Sequence, residues 1–355
     1  MLSEIVGIAQ NEAVDLIVMA GDLFETAAPN PESEALVYEA FLQLAAVAPV
    51  LAIAGNHDNP RRFKAIAPLL ELGRVTLLPE AVGPAAGGTL DLTVADGTPV
   101  KVAMLPFVSQ RAIVRAEQLM EDAAFEQAQL YSDRLQRVLG ALTSSFSADS
   151  VNLVVAHAFV QGGAVGGGER SAHLQEEYAV PALAFPATAG YVALGHLHRP
   201  QVVRGATSIH YCGSPLQLDF GEGEQEKQVN LVELQPGLPA KVTAVPLSSG
   251  RALRTVRGTL DQLAALADTV EDAWLRVRVN EPGRSGLADD VRVMLGDNVV
   301  DVIVDHDQVA GTSPRVRRRD GRTPHELFAD YLTENDIADP DLTAAFSRLY
   351  EAQSV

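Results

Sequence analysis

The chain has 355 residues, 47% of them hydrophobic, enough for a sizeable core in two domains or in one large domain with appendages. A formal charge of −19 argues against a free-standing nucleic-acid binder, whose phosphate contacts come from Lys and Arg, and a single cysteine, Cys212, excludes an intramolecular disulfide and a thiolate metal cluster. No run approaches the roughly 18 apolar residues of a membrane span, and the opening "MLSEIVGIAQNE" lacks the plan of a secretory signal, so a cytoplasmic protein is expected.

Residues 2–11 place Leu2, Ile5, Val6 and Ala9 at a helical period, and "VDLIVMAGD" then reads as a buried strand. After the loop "ETAAPNPES", a helix over about 32–46 leads to a second buried strand, "APVLAIAGNHD". Such alternation predicts a layered α/β sheet covered by helices. Shorter strands are expected in "RVTLLP", "LDLTVADG" and "PVKVAMLPF", with a turn at Asp96-Gly97, before a long helical region over about 111–145 and the buried strand "VNLVVAH". The glycine-rich "QGGAVGGGE" opens no helix, so it reads as a mobile loop and not as a phosphate cradle. "GYVALGHLH", "SIHYCGSP" and "KQVNLVEL" read as strands, and from about Gly250 a small unit mixes helices with a few strands. The basic run "RVRRRDGR" reads as a solvated linker, with nucleic-acid contact the lesser alternative. Thr323-Pro324 then opens a helix as N-cap and first-turn proline, with apolar residues recurring along "HELFADYL" and "LTAAFSRLY".

Four of these buried strands end alike: "VMAGD", "AIAGNHD", "VVAH" and "ALGHLH". Strand C-termini line up along one edge of a layered α/β protein, where ligands bind, so Asp22, Asn56, His57, His157, His196 and His198 are expected to meet at one rim. Any one of them alone reads as a cap, a turn residue or a hydrogen-bonded core histidine. Glycines before Asp22, Asn56 and His196 let the backbone turn sharply and approach a ligand. On a strand, His196 and His198 would share a face and aim at one point. Oxygen and imidazole donors without sulfur suit Mn²⁺, Fe²⁺ or Zn²⁺. Two ions about 3.5–4 Å apart, bridged by a carboxylate, activate water and stabilise a leaving oxygen in phosphoester hydrolysis.

In that order, "GDLFE", "GNHD", "VVAH" and "GHLH" resemble the calcineurin-like metallophosphoesterase superfamily. Within it, "GDLFE", "YVALGHLHRPQ" and "YCGSPLQLDFGE" resemble the SbcD family, the nuclease subunits of bacterial SbcCD complexes, over nearly the whole chain. The resemblance implies that Asp22 is the carboxylate shared by two metals, with Asn56, His157 and His196 on one ion and His198 on the other. It makes His57 the catalytic histidine at the scissile phosphate, with Asp58 orienting its imidazole. His210 and Arg199 are candidates for substrate contact or for structure. The family pattern also begins with a strand carrying Asp-x-His, which supplies two ligands to the His198-side metal. No Asp-x-His precedes "GDLFE" here, so the expectation is a chain shortened at its start, by a misplaced start codon, an artificial boundary or genuine loss, and a second site holding only Asp22 and His198.

The fold class implied is α/β (α+β): a four-layer metallophosphoesterase β-sandwich flanked by helices over 1–247, a small α/β capping domain that selects DNA shape over 250–307, a linker over 308–322, and C-terminal helices over 323–355 that bind the SbcC ATPase. The implied activity is that of a Mn²⁺-dependent DNA nuclease, acting 3′→5′ on duplex ends and endonucleolytically on single strands and hairpins. A homodimer within a heterotetramer and no membrane association are expected. Acidity is compatible with this, because carboxylates around divalent cations are far less negative once loaded and a partner can supply the basic groove. Two rivals remain: a general metallophosphoesterase acting on small phosphodiesters or phosphoproteins, and a catalytically silent subunit that serves only to bind SbcC.

Overall fold

A computed structural model of the chain describes residues 1–109, 131–169, 179–270 and 272–305, together with Phe328, Leu332, Leu342 and Phe346. Contacts group Met1–Asp305 into one compact unit and His306–Val355 into another.

The first third alternates α1 (Leu2–Asn11), β1 (Ile17–Met19), α2 (Pro31–Val47), β2 (Val50–Ile53), α3 (Pro60–Glu71) and β3 (Val75–Leu78). Helices α2 and α3 start on the same device. Asn30 and Asn59 are N-caps whose side-chain oxygens accept from the amides of Ser33 at 2.7 Å and Arg61 at 3.0 Å. Pro31 and Pro60 follow at the first helical positions, where a missing N–H costs nothing. Strands β1, β2 and β3 pair in parallel in that order.

A second sheet takes β4 (Thr89–Thr93), β5 (Pro99–Leu105), β6 (Val151–His157), β7 (Tyr191–Gly195), β8 (Gln201–Val203) and β9 (Ile209–Tyr211) in the order β4-β5-β6-β7-β9-β8. Its central strands β5, β6, β7 and β9 are parallel. Period-two alternation assigns each strand's side chains to two cores. On β6, Val151, Leu153 and Val155 join Leu51 and Ile53 of β2 between the two sheets, whereas Val154 and Ala156 face Leu135, Val138 and Leu139 of α4 (Tyr131–Leu142). On the far side of the first sheet, Val50 and Ala52 pack with Phe41 and Leu44 of α2 and Phe63 of α3. The result is helix, sheet, sheet, helix: the four-layer sandwich expected. Strands buried on both faces read as continuous apolar runs because both neighbours are apolar.

Beyond it lie a hairpin of β10 (Gln228–Glu233) and β11 (Lys241–Pro246), and a parallel trio β12 (Leu253–Gly258), β13 (Trp274–Val279) and β14 (Val299–Val304). The trio has its own core, in which Leu275, Val277 and Val279 meet Leu263 of α5 (Leu260–Ala264) and Leu287 and Val291 of α6 (Leu287–Leu295).

Strand β6 coincides residue for residue with the predicted "VNLVVAH", but β1 is three residues long, because Gly21 and Asp22 turn out of the strand at φ 91° and 53°. The glycine-rich loop is not free. Its Ala164 and the side-chain amide of Gln201 exchange two hydrogen bonds of 2.7 Å, and Glu169 accepts from the amides of Gly166 and Gly167. Of the predicted helix over 111–145, only the part within Tyr131–Leu142 is described as helix, and residues 110–130 lie outside the described residues. The linker, its basic run and Thr323-Pro324 also lie outside them. In the second unit, Phe328, Leu332, Leu342 and Phe346 are helical, and the Phe328 and Phe346 rings stack at 4.2 Å. Among the described residues no helix is long and apolar enough to cross a membrane.

Candidate metal centre

The ends of β1 and β2 from one sheet and of β6 and β7 from the other converge. His157, the last residue of β6, places Nδ1 2.6 Å from the carbonyl oxygen of Ala20 and Nε2 2.9 Å from Oδ1 of Asn56 and 3.2 Å from Oδ2 of Asp22. His196, just past β7, places Nδ1 2.8 Å from the same Asn56 oxygen. Ligand atoms of Asp22, His157 and His196 all lie within 4.8 Å of one another. The Phe107 ring, beyond β5, lies nearly parallel to His196 at 6.2 Å and edge-on to His157 at 6.1 Å, an apolar wall to the cluster.

The backbone is bent to permit this. Asp22 and His196 both have positive φ, 53° and 102°, a conformation that disfavours any side chain with a Cβ and that persists where surrounding structure enforces it. Three glycines leave the space. A Cβ on Gly21 would stand 2.5 Å from His157 Nδ1, one on Gly55 would collide with Asp22 Oδ1, and one on Gly195 would collide with the Ala20 carbonyl.

The donor set suits a cation. With its Nδ1 proton donated to Ala20, a neutral His157 turns an electron pair toward two oxygens that are themselves acceptors. Such a meeting of electron pairs is stable only with a proton or a cation among them. Separations of 2.8–3.2 Å match ligands on an ion with bonds of about 2.1 Å at right angles, which stand about 3.0 Å apart. Asn56 keeps its oxygen here although its buried Nδ2 has no hydrogen-bond partner among the described residues, an arrangement that costs about 1–3 kcal/mol. Burial would raise the Asp22 carboxyl, but the His157 imidazole and the His57 amide hold it well below the usual carboxylate range. Burial conversely lowers His157, and the Asp22 charge outweighs it, so the imidazole is pushed up.

His57 is buried beside this cluster. Its amide donates to Asp22 Oδ1 at 2.8 Å, and its ring Nδ1 lies 2.8 Å from the Glu25 carbonyl oxygen. That carbonyl, and not Asp58, orients the imidazole. The expected role of Asp58 is corrected: its carboxylate accepts from the amides of Gly55 at 2.8 Å, Phe24 at 3.1 Å and Leu23 at 3.2 Å, so it ties the loop after β1 to the loop after β2. Both of its oxygens are taken up by backbone, which leaves it a scaffold for Asp22 and Asn56. Burial raises its carboxyl, against the pull of those amides.

His198 does not share an aim with His196. The strand ends at Gly195 and the positive φ of His196 turns the chain, so alternation no longer applies. His198 places Nδ1 2.8 Å from Oε1 of Glu222, a fully buried carboxylate whose other oxygen lies 2.9 Å from Nζ of the buried Lys227. Burial lowers the His198 imidazole, but Glu222 and Glu169 together raise it. Burial likewise raises Glu222, yet His198 and Lys227 bring it down to about 2. His210 sits apart, its Nε2 2.9 Å from Ser208 Oγ and its ring tilted against Tyr191 at 5.3 Å, and burial lowers its imidazole. Arg199 is exposed.

Sequence reading thus named the four converging donors but missed Phe107, the Glu25 carbonyl and the Glu222–Lys227 pair. Glu222 closes the "YCGSPLQLDFGE" stretch already singled out, and an acid followed five residues later by a lysine was the available signal.

The calcineurin-like phosphoesterase family model matches residues 1–200. The SbcD subunit of the nuclease SbcCD from Bacillus subtilis (strain 168) is 35% identical over 260 residues, which cover 71% of this chain and 64% of that protein. Its counterpart of the same name from Escherichia coli (strain K12) is 26% identical over 291 residues, 76% of this chain and 69% of that protein, and the one from Rhodobacter capsulatus is 30% identical over 280 residues, 71% and 67%. The chain therefore spans just under two thirds of the length of the Bacillus relative.

Proposed function

The chain belongs to the calcineurin-like phosphoesterase family, and from that premise we propose that it is the nuclease subunit of an SbcCD-type complex, hydrolysing phosphodiester bonds of DNA with bound divalent metal. The observation that carries this reading is the meeting of Asp22, Asn56, His157 and His196 as electron-pair donors around one point. Asp22, Asn56, His157 and His196 would hold one cation and Asp22 with His198 would serve a second, Mn²⁺ being the ion this reading takes. A cation held there supplies positive charge against the phosphate oxygens and lowers the pKa of water.

The protein's own groups do the rest. His57, with Nδ1 committed to the Glu25 carbonyl, has Nε2 left to contact the scissile phosphate and, when protonated, to pass its proton to the leaving oxygen. Asp58 fixes the two loops that carry Asp22 and Asn56. Phe107 keeps one side of the cluster apolar.

Duplex ends cut 3′→5′, and single strands and hairpins cut internally, are the substrates of this reading. Residues 250–307 select DNA shape, and 323–355 dock on an SbcC-type ATPase in a cytoplasmic heterotetramer built on a dimer of this chain. A charge of −19 fits a subunit that borrows its DNA affinity from that partner.

Equilibrium dialysis with elemental analysis, paired with cleavage assays on hairpin and blunt duplex DNA with and without the partner ATPase, tests the proposal. Bound Mn²⁺ and Mn²⁺-dependent cleavage are expected. Hydrolysis of bis-p-nitrophenyl phosphate without DNA cleavage in the partner's presence would replace it by a general phosphodiesterase, and partner binding with neither activity by a silent structural subunit.

A further inference from the structure

His198 is held at every polar atom that the described residues reach. Its amide donates to Glu169 Oε1 at 2.9 Å, its carbonyl accepts from Ser214 N and Lys227 Nζ, each at 3.1 Å, and its ring Nδ1 faces Glu222 at 2.8 Å. The glycine-rich loop closes over it. A Cβ on Gly168 would stand 2.9 Å from the ring's Nδ1, and one on Gly166 would stand 2.9 Å from the His198 Cβ, so two of those glycines are spaces for this histidine.

Glu222 is equally determined. Its Oε2 accepts from Lys227 Nζ at 2.9 Å and from the Leu218 amide at 3.0 Å, and Lys227 is in turn bound by Ser214 Oγ at 2.8 Å and Gln225 Oε1 at 3.2 Å. An ionised carboxylate only accepts hydrogen bonds, so Oε1 faces His198 as an acceptor and requires the proton on Nδ1. In the neutral ring Nε2 then carries the electron pair. The described residues give Nε2 no hydrogen-bond partner.

We propose that Glu222 is a positioning residue for His198: the buried Glu222–Lys227 pair fixes the ring's orientation and its Nδ1–H tautomer, so that Nε2 presents its electron pair to a cation on the Asp22 side. The proposal deepens the phosphoesterase reading above and rests on it for the identity of what Nε2 meets. Histidine ligands commonly donate their second nitrogen to a carboxylate, which raises their basicity and sets their direction.

Glu222→Gln is the sharp test. Lys227 and the Leu218 amide both claim the amide oxygen, which turns the NH₂ toward Nδ1. An NH₂ only donates, so His198 must move its proton to Nε2 and lose the electron pair there. In the metal-free protein at alkaline pH, ¹⁵N NMR of the imidazoles, with His198 assigned by comparison with His198→Gln, is expected to show Nδ1–H in the wild type and Nε2–H in Glu222→Gln. Mn²⁺ titration of the same variant is expected to show affinity lower by about 10- to 100-fold for the ion that depends on His198, with the other ion unchanged. Lys227→Met keeps the carboxylate and is expected to keep Nδ1–H, whereas a merely structural pair would make both variants alike.

An Nε2–H signature in the wild-type protein overturns the proposal even where a variant fails to fold. So does a Glu222→Gln protein that keeps Nδ1–H and its Mn²⁺ affinity. Tautomers as expected in a protein that binds no Mn²⁺ would leave the positioning intact and overturn the metal-dependent reading instead.

Discussion

His196 and His198 stand two residues apart and live in opposite surroundings. His196 faces Asn56 and the Asp22–His157 pair, a cluster of electron-pair donors contributed by four separate strand ends. His198 faces a carboxylate already neutralised by a lysine, all from the segment after β9. The first arrangement gathers electron-pair donors around one point and calls for a proton or a cation among them. The second is charge-balanced, and what it determines is the direction and tautomer of one ring. The turn at His196, with φ of 102°, separates them, and Gly195, where a Cβ would strike the Ala20 carbonyl, lets the end of β7 lie close against Ala20.

The most severe way to break the contrast is Asp22→Ala. It removes the one carboxylate of the donor cluster, and it is expected to abolish Mn²⁺ binding at both ions together with all measurable phosphodiester hydrolysis, read by elemental analysis and by a chromogenic diester. His57→Ala comes next, with hydrolysis lower by about 10²- to 10⁴-fold while bound Mn²⁺ is unchanged. Metal loss from this variant would move His57 into the donor cluster.

Asp58→Ala separates scaffold from chemistry. Three amides lose their acceptor, two of them at buried residues, so stability should fall by about 3 kcal/mol in urea unfolding. If stability held and only the rate fell, Asp58 would act on His57 after all.

The smallest effect is expected from pH on the metal-free protein. An unfolded glutamate takes up its proton near 4.5, while folded Glu222 stays ionised down to about 2. Its contribution is therefore complete above 4.5 and is lost as pH falls toward 2. Thermal melts across that window should show a shallower acid limb in Glu222→Gln than in the wild type. Equal slopes would remove Glu222 from the account of acid stability.

Much of the centre was legible because it is local. A buried apolar run ending in Gly-Asp, Gly-Asn-His-Asp or Ala-His puts polar groups at a strand terminus whatever the fold, and parallel strands bring their termini to one edge. The period-two burial of β2, β5, β6 and β7 follows from side chains alternating across a sheet with an apolar layer on each face. Asp58 was misread for the converse reason. Adjacency to His57 suggested a partner, but its carboxylate turns toward amides 34 and 35 residues earlier in the chain. Glu222 stood in a stretch that had been singled out, yet its bond to His198 spans 24 residues, a distance on which local pattern is silent.

The sequence by itself determined the layered α/β architecture, the four strand-end motifs and the donor types, because hydrophobic periodicity and residue chemistry are properties of short segments. Tertiary structure alone decided which atoms meet: that Asn56 receives both His157 and His196, that the Glu25 carbonyl and not Asp58 turns His57, and that His198 answers to Glu222. Hydrogen bonds have directions and reach about 3 Å, so partners are settled only when segments far apart in the chain are packed side by side.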